Sequence, residues 1–189
     1  SKFLETDLDI NLEMLLKHRS GVFDYLNLTE EKINSCDLKT ISKIILENTT
    51  AEMIKKSDYQ YSNSGYVLLS QIIEVVYENS YEKALIEFYK KKNITIEFDP
   101  SISKYLSGWG DGAINLDVEN YLKFIDLENS EKSFDALMGK DGKFWFYCGA
   151  VPGVETFAAF NQSFKLIYFK NDSPEETGFA DKFLDILEK

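Results

Sequence analysis

Three groupings in this sequence have residue types and spacing suited to chemistry. A serine followed three positions later by a lysine puts hydroxyl and amine on one face of a helix. Two pairs have that spacing, Ser80 with Lys83 and Ser101 with Lys104. Ser80 stands directly before a helical run, where a serine caps the helix. Ser101 follows Pro100 in a polar loop. Neither is expected to be a nucleophile. His18, the only histidine, and Cys148 invite a thiol–imidazole reading. The simpler expectation for Cys148, on a strand, is that of a small buried apolar residue. With only Cys36 and Cys148 beside one histidine, a zinc site from Cys and His falls short of three or four ligands. No metal and no other cofactor is expected, and a disulfide between the two cysteines stays open. The third grouping is Tyr61-Ser62-Asn63 at the head of the most apolar helical run. Taken alone, it reads as a helix entry with Ser62 or Asn63 as cap.

The elements that must position these residues change period along the chain. Asn11 to Lys17 reads as a short helix with Asp9 as its cap, ended by His18-Arg19-Ser20-Gly21. Thr29 caps a second helix. Leu38, Ile41 and Ile45 share one face of a third, Leu38 to Glu47. Ser64 to Asn79 carries Val67, Leu68, Ile72, Val75 and Val76, with Leu69 and Ile73 beside them, a stripe broad enough to predict a largely buried helix. Ser80 to Lys91 is another helix. Asn93 to Phe98 alternates as an extended segment. Gly108 to Gly112 is a glycine-rich turn, and Leu116 to Leu127 returns to a helix. After Gly142 the pattern becomes strand-like: Lys143 to Cys148, Val154 to Phe160 and Phe164 to Phe169, with Asn161-Gln162-Ser163 as a hairpin turn. Pro174-Glu175-Glu176 is expected to open a last helix capped by Ser173, with Phe179, Phe183, Ile186 and Leu187 as its apolar face. Helices, then antiparallel strands, then one helix make an α+β arrangement. The expectation is one domain over 1–189, mainly helical over 1–140, with strands and the last helix over 141–189.

Bulk properties narrow the partners. A chain of 189 residues with 44% hydrophobic and 28% charged residues can build a real core. A net charge of -11 argues against nucleic acid, whose phosphates need clustered Lys and Arg. It equally disfavours an anionic membrane surface. No apolar run is long enough to span a bilayer. The chain opens on Ser1-Lys2-Phe3 with neither Met nor a signal peptide, so a removed leader or a missing N-terminal part is expected.

Three stretches, in order, resemble one family. Leu15-Leu16-Lys17-His18-Arg19-Ser20-Gly21, followed by Asp24-Tyr25, resembles a Leu-Leu-x-His-x-Ser-Gly segment. Tyr61-Ser62-Asn63, continued by Ser64-Gly65-Tyr66-Val67-Leu68-Leu69, is similar to a Tyr-x-Asn motif that opens a buried helix. Cys148-Gly149-Ala150-Val151-Pro152-Gly153, followed by strand, turn and strand, resembles the segment carrying Lys-Thr-Gly or His-x-Gly. Gly110-Asp111-Gly112-Ala113-Ile114 resembles a loop ahead of a family helix. The family is the penicillin-recognising serine hydrolases, with the class C β-lactamases, D,D-carboxypeptidases and related esterases nearest.

The resemblance implies a β-lactamase/transpeptidase-like fold, a helical region plus an antiparallel sheet with a C-terminal helix. It implies Tyr61 as general base and acid, helped by positive charge that stabilises a phenolate. It gives Asn63 a hydrogen bond to the substrate amide and the Ala150 N–H half of an oxyanion hole. Tyr147, Cys148 and Gly149 then fall on the substrate-binding strand. Tyr147 stands where Lys or His is expected, and a tyrosine carries no positive charge at neutral pH. The family's Ser-x-x-Lys segment lies upstream of the His18 segment, and here it has no counterpart, nor have the first helix and strands. Two expectations follow. Either the chain is a fragment of a bacterial serine hydrolase acting on a β-lactam, peptide or ester, or it is a catalytically silent relative used for binding or assembly, with a partner chain over the gap. As given, the chain is expected not to hydrolyse anything. Its implied ligand is a small acyl or peptidoglycan-like molecule, and its implied location lies outside the cytoplasm.

Overall fold

The computed structural model describes residues 3–55, 58–98, 109–131, 137–138, 142–151, 153–173 and 178–187. The chain divides into two compact units, Ser1–Leu116 and Asp117–Lys189.

The first unit is mainly helical. Its helices are α1 (Leu12–Leu16), α2 (Glu30–Asn34), α3 (Leu38–Asn48), α4 (Ala51–Lys55), α5 (Asn63–Tyr77) and α6 (Tyr81–Lys90). A two-stranded ribbon, β1 (Glu97–Phe98) with β2 (Ile114–Asn115), completes it. Short polar side chains start most of these helices by accepting orphan N–H groups. Asn11 accepts from Met14, Thr29 from Lys32, Asp37 from Thr40, Ser62 from Gly65 and Ser80 from Lys83. The cap of α1 is thus Asn11 and not Asp9, because the helix begins one residue later than its apolar pattern suggests. The core joins Leu15, Tyr25, Leu38, Ile41, Ile45, Val67, Leu68 and Ile72. Fully burying each such aliphatic side chain contributes about 1.5–3 kcal/mol.

The broad apolar stripe of α5 is buried only in part. Val67, Leu68 and Ile72 are in the core, whereas Val75, Val76 and Tyr77 are about half exposed, at 47%, 55% and 53%. The last turn of α5 is therefore an exposed part of a helix whose composition predicts it to be largely buried.

In the second unit, α7 (Val118–Glu131) precedes an antiparallel sheet of order β3-β4-β5-β6. Its strands are β3 (Leu137–Met138), β4 (Trp145–Val151), β5 (Gly153–Phe160) and β6 (Lys165–Ser173), and α8 (Phe179–Leu187) follows. The period-2 alternation of strands sorts the sheet into two packed faces. Ala158 and Phe160 meet Ile125 and Tyr121 of α7, with Tyr147 and Ile167 beside them. Phe157 and Ala159 meet Phe183, Leu184 and Leu187 of α8, with Phe146, Leu166 and Tyr168 alongside. The β5–β6 turn forms where expected, because Asn161 Oδ1 accepts the N–H groups of Ser163 (2.7 Å) and Phe164 (3.0 Å).

Two expectations for the last helix are corrected. Ser173 belongs to strand β6, and the described helix begins at Phe179. Ile186 is 66% exposed, so the apolar face runs through Phe183, Leu184 and Leu187. Pro174-Glu175-Glu176 lies outside the described residues.

Candidate functional site

The entry to α5 is built by the two halves of the first unit's sequence motifs. Ser62 is extended, with φ -147 and ψ 113, and its Oγ accepts the Gly65 N–H at 3.1 Å. Its own N–H donates to His18 Nδ1 at 3.1 Å. Two residues earlier, the Gln60 N–H donates to the His18 carbonyl at 2.8 Å. On the other side of the helix start, Ser64 Oγ accepts the Tyr25 N–H at 2.8 Å, and both residues are fully buried. Leu15 and Ser20 close over this turn, since a Cβ on Gly65 would be in van der Waals contact, 3.4 Å from the Leu15 carbonyl oxygen and 3.9 Å from Ser20 Oγ. The segment Leu15–Tyr25 therefore wraps the first turn of α5, which is the physical content of its resemblance to Leu-Leu-x-His-x-Ser-Gly.

These tethers fix the two residues proposed to handle a ligand. Tyr61 is 65% exposed, although its ring centroid lies 4.6 Å from that of His18. Asn63 is the first residue of α5 and is half-buried. Tyr66 stacks on His18 from within α5, at 5.1 Å and 28°, and Tyr59 meets it edge-on at 5.9 Å.

A second polar network lies behind α5. Tyr25 Oη donates to Asp111 Oδ2. Ser70 Oγ is 2.7 Å from the Trp109 carbonyl and 3.0 Å from the Tyr66 carbonyl, so its one proton serves the two in turn. Burial pushes the Tyr81 phenol up to about 12, against a lowering by its hydrogen bond with Ser70, and the Asp111 charge adds to the rise. Gly110 sits at φ +92, and a Cβ there would come within 2.1 Å of Ser70 Oγ and 2.8 Å of the Tyr66 carbonyl. The glycine turn is thus clamped onto α5, a role its sequence pattern alone did not reveal.

The second unit holds the other candidates. Tyr147 pairs with Ala158 across the β4–β5 ladder, so it lies on the α7 face. Its ring stacks on Phe160 at 6.0 Å and 21°. Cys148 is on the α8 face, opposite Phe157. Partial desolvation, and then the Asp181 carboxylate, hold its thiol above the usual range. Both effects oppose a thiolate nucleophile, and both cysteines are free thiols. Gly149 leaves space for Thr156, whose Oγ1 would be 2.9 Å from a Cβ at that position and donates to the Gly149 carbonyl at 3.3 Å. Ala150 stands opposite Glu155. β3 pairs only with Trp145 and Phe146, so among the described residues no strand covers the other side of Tyr147–Val151.

Of the serine–lysine pairs, Ser80 with Lys83 lies among the described residues. Ser80 Oγ accepts the Lys83 N–H at 3.4 Å, which is a capping bond through the backbone and not a contact with the amine. Ser101 and Lys104 lie outside the described residues.

The order of elements, the antiparallel sheet and the two packed faces define the β-lactamase/transpeptidase-like fold. The chain is similar to FmtA from Staphylococcus aureus, with a TM-score of 0.74 and 16% identity over 99% of this chain and 65% of that one. It is similar to a penicillin-binding protein from Bacillus halodurans, with a TM-score of 0.69 and 15% identity over 95% of this chain and 73% of the other. A D-amino acid amidase from Ochrobactrum anthropi SV3 matches with a TM-score of 0.68 and 17% identity over 96% and 72% of the two chains. The chain therefore spans less than two thirds of the FmtA chain. No protein-family model matches the sequence, and no curated protein sequence is significantly similar to it. No helix among the described residues is long and apolar enough to cross a membrane.

Proposed function

We propose that this chain is a ligand-binding part of a serine-hydrolase fold and does not hydrolyse acyl substrates by itself. The observation that carries this reading is the Tyr61–Asn63 element. Its phenol is exposed and its Ser62 N–H is held by His18 Nδ1, while Ser80, the serine–lysine candidate among the described residues, is a helix cap. The ligand it suits is a small acyl or peptidoglycan-like molecule, with Asn63 hydrogen-bonding an amide. Tyr147, Cys148 and Gly149 are proposed as the substrate-side strand and the Ala150 N–H as a donor to a carbonyl oxygen. Tyr147 brings no positive charge at neutral pH, so that position does not supply the cation that Lys or His would.

Titrating the isotope-labelled chain with an acyl-D-alanyl peptide and with a penicillin tests the reading. Reversible shifts centred on Tyr61 and Asn63, weakened by Asn63→Ala, are expected. Shifts absent from both residues at millimolar ligand would contradict it.

A second reading is favoured by the coverage of the related structures, since 35% of the FmtA chain has no counterpart here (100% less the 65% covered). A partner chain or a preceding segment then supplies the nucleophile, and an in-frame Ser-x-x-Lys upstream of Ser1 would support it.

A further inference from the structure

We propose that His18 is a positioning residue for the Tyr61–Asn63 element, holding it as a neutral imidazole whose Nδ1 accepts the Ser62 N–H and whose ring carries Tyr61. The ligand role of that element rests on the function proposed above; the positioning itself rests on geometry.

The first step is a local deficit. The N–H of an N-cap residue is commonly satisfied by a Glu or Gln at the third helical position, reaching back in a capping box. Here that position is Gly65, which has no side chain to reach with. The Leu15 carbonyl oxygen passes beside it, 3.4 Å from where a Cβ would stand. Position 65 thus offers no local acceptor to the N–H of the buried Ser62, and His18 Nδ1 supplies one from 44 residues away.

The second step is backbone geometry. His18 has φ +52, a left-handed conformation uncommon outside glycine, which histidine, like Asn and Asp, adopts more often than most residues. That conformation ends α1 and aims the carbonyl at the Gln60 N–H and the ring at the α5 entry. Glycine would adopt it at less cost, but it would offer neither an acceptor nor a ring.

The third step is the ring itself. An acceptor Nδ1 carries no proton, so the neutral imidazole is protonated at Nε2. The flat face packs Tyr66 on α5 and Tyr61 before it, and Tyr59 closes the edge. Tyr61 thereby keeps a fixed ring while most of its surface faces solvent.

The test separates acceptor from ring. In His18→Asn, Oδ1 takes the place of Nδ1 and asparagine tolerates φ > 0. In His18→Phe the ring remains and the acceptor is lost. The expected result is about tenfold faster Ser62 amide exchange in H18F, the size of one lost hydrogen bond, with H18N restored to within a few-fold of the unmodified chain. The reverse is expected for Tyr61, whose ring-current shift survives in H18F and collapses in H18N. In the unmodified chain, nitrogen shifts should show Nδ1 unprotonated and Nε2 protonated, which decides the matter even where a variant fails to fold. Nδ1 protonation at neutral pH, or Ser62 exchange unchanged in H18F, would overturn the proposal. Ligand titration of the same samples reports separately on the binding reading.

Discussion

Ser20, Ser62 and Ser64 sit within one small volume and illustrate how little residue type alone says about role. Ser62 caps α5 through Oγ, so Ser62→Ala should cost about 1 kcal/mol and lower the denaturation midpoint accordingly. Ser64 Oγ accepts the buried Tyr25 N–H. Ser64→Ala leaves that donor orphaned, at about 1–3 kcal/mol. Ser20 Oγ is buried with no hydrogen-bond partner among the described residues. Ser20→Ala is therefore expected to be neutral or stabilising in the same urea titration. A loss in Ser20→Ala as large as that in Ser64→Ala would show that the Ser20 hydroxyl has a partner. Cys148 offers a chemical test at this scale. Asp181→Asn removes one of the two causes that raise its thiol, so the pH profile of iodoacetamide labelling should move to lower pH. An unchanged profile would leave desolvation as the sole cause. Sequence patterns narrowed the cap to Ser62 or Asn63 because capping is local. They did not disclose the His18–Ser62 bond, whose partners are 44 residues apart.

At the scale of elements, the glycine turn and the helix starts carry the predictions. Gly110→Ala combines φ +92 with a Cβ 2.1 Å from Ser70 Oγ. It is expected to destabilise by several kcal/mol, on the order of the largest single-residue losses. Pairing it with Ser70→Ala should recover only part of that, since the Tyr66 carbonyl remains 2.8 Å away. The caps also set an acid limit. The hydrogen bonds of Thr40 and Asn120 hold the Asp37 and Asp117 carboxyls below the ordinary aspartate value of 3.8. A carboxyl lowered by folding stabilises above its unfolded value and loses that contribution as pH falls through its folded one. Helical content should therefore hold above pH 3.8 and decline below it, and Asp117→Asn should shrink the part of that decline belonging to α7. Most helix and strand positions were legible, because periods of 3.6 and 2 survive in the apolar residues of α3, α5 and β4 to β6. The exposed last turn of α5 and the start of α8 were not, because burial depends on neighbours distant in the chain.

For the whole molecule, the fold was legible through motif order more than through composition. The Leu15–Gly21 and Tyr61–Leu69 stretches pack on each other within the first unit, so the pattern that suggested the fold is also the contact that builds it. Solved structures at 14% to 17% identity share that fold, and similarity at this level carries architecture without chemistry. Whether this chain hydrolyses acyl substrates by itself is read from its intact mass. The purified 189-residue chain, incubated with a fluorescent penicillin and then with a chromogenic ester, is expected to keep its unmodified mass and release no product above background. A stoichiometric adduct on any serine or cysteine of this chain would contradict the account.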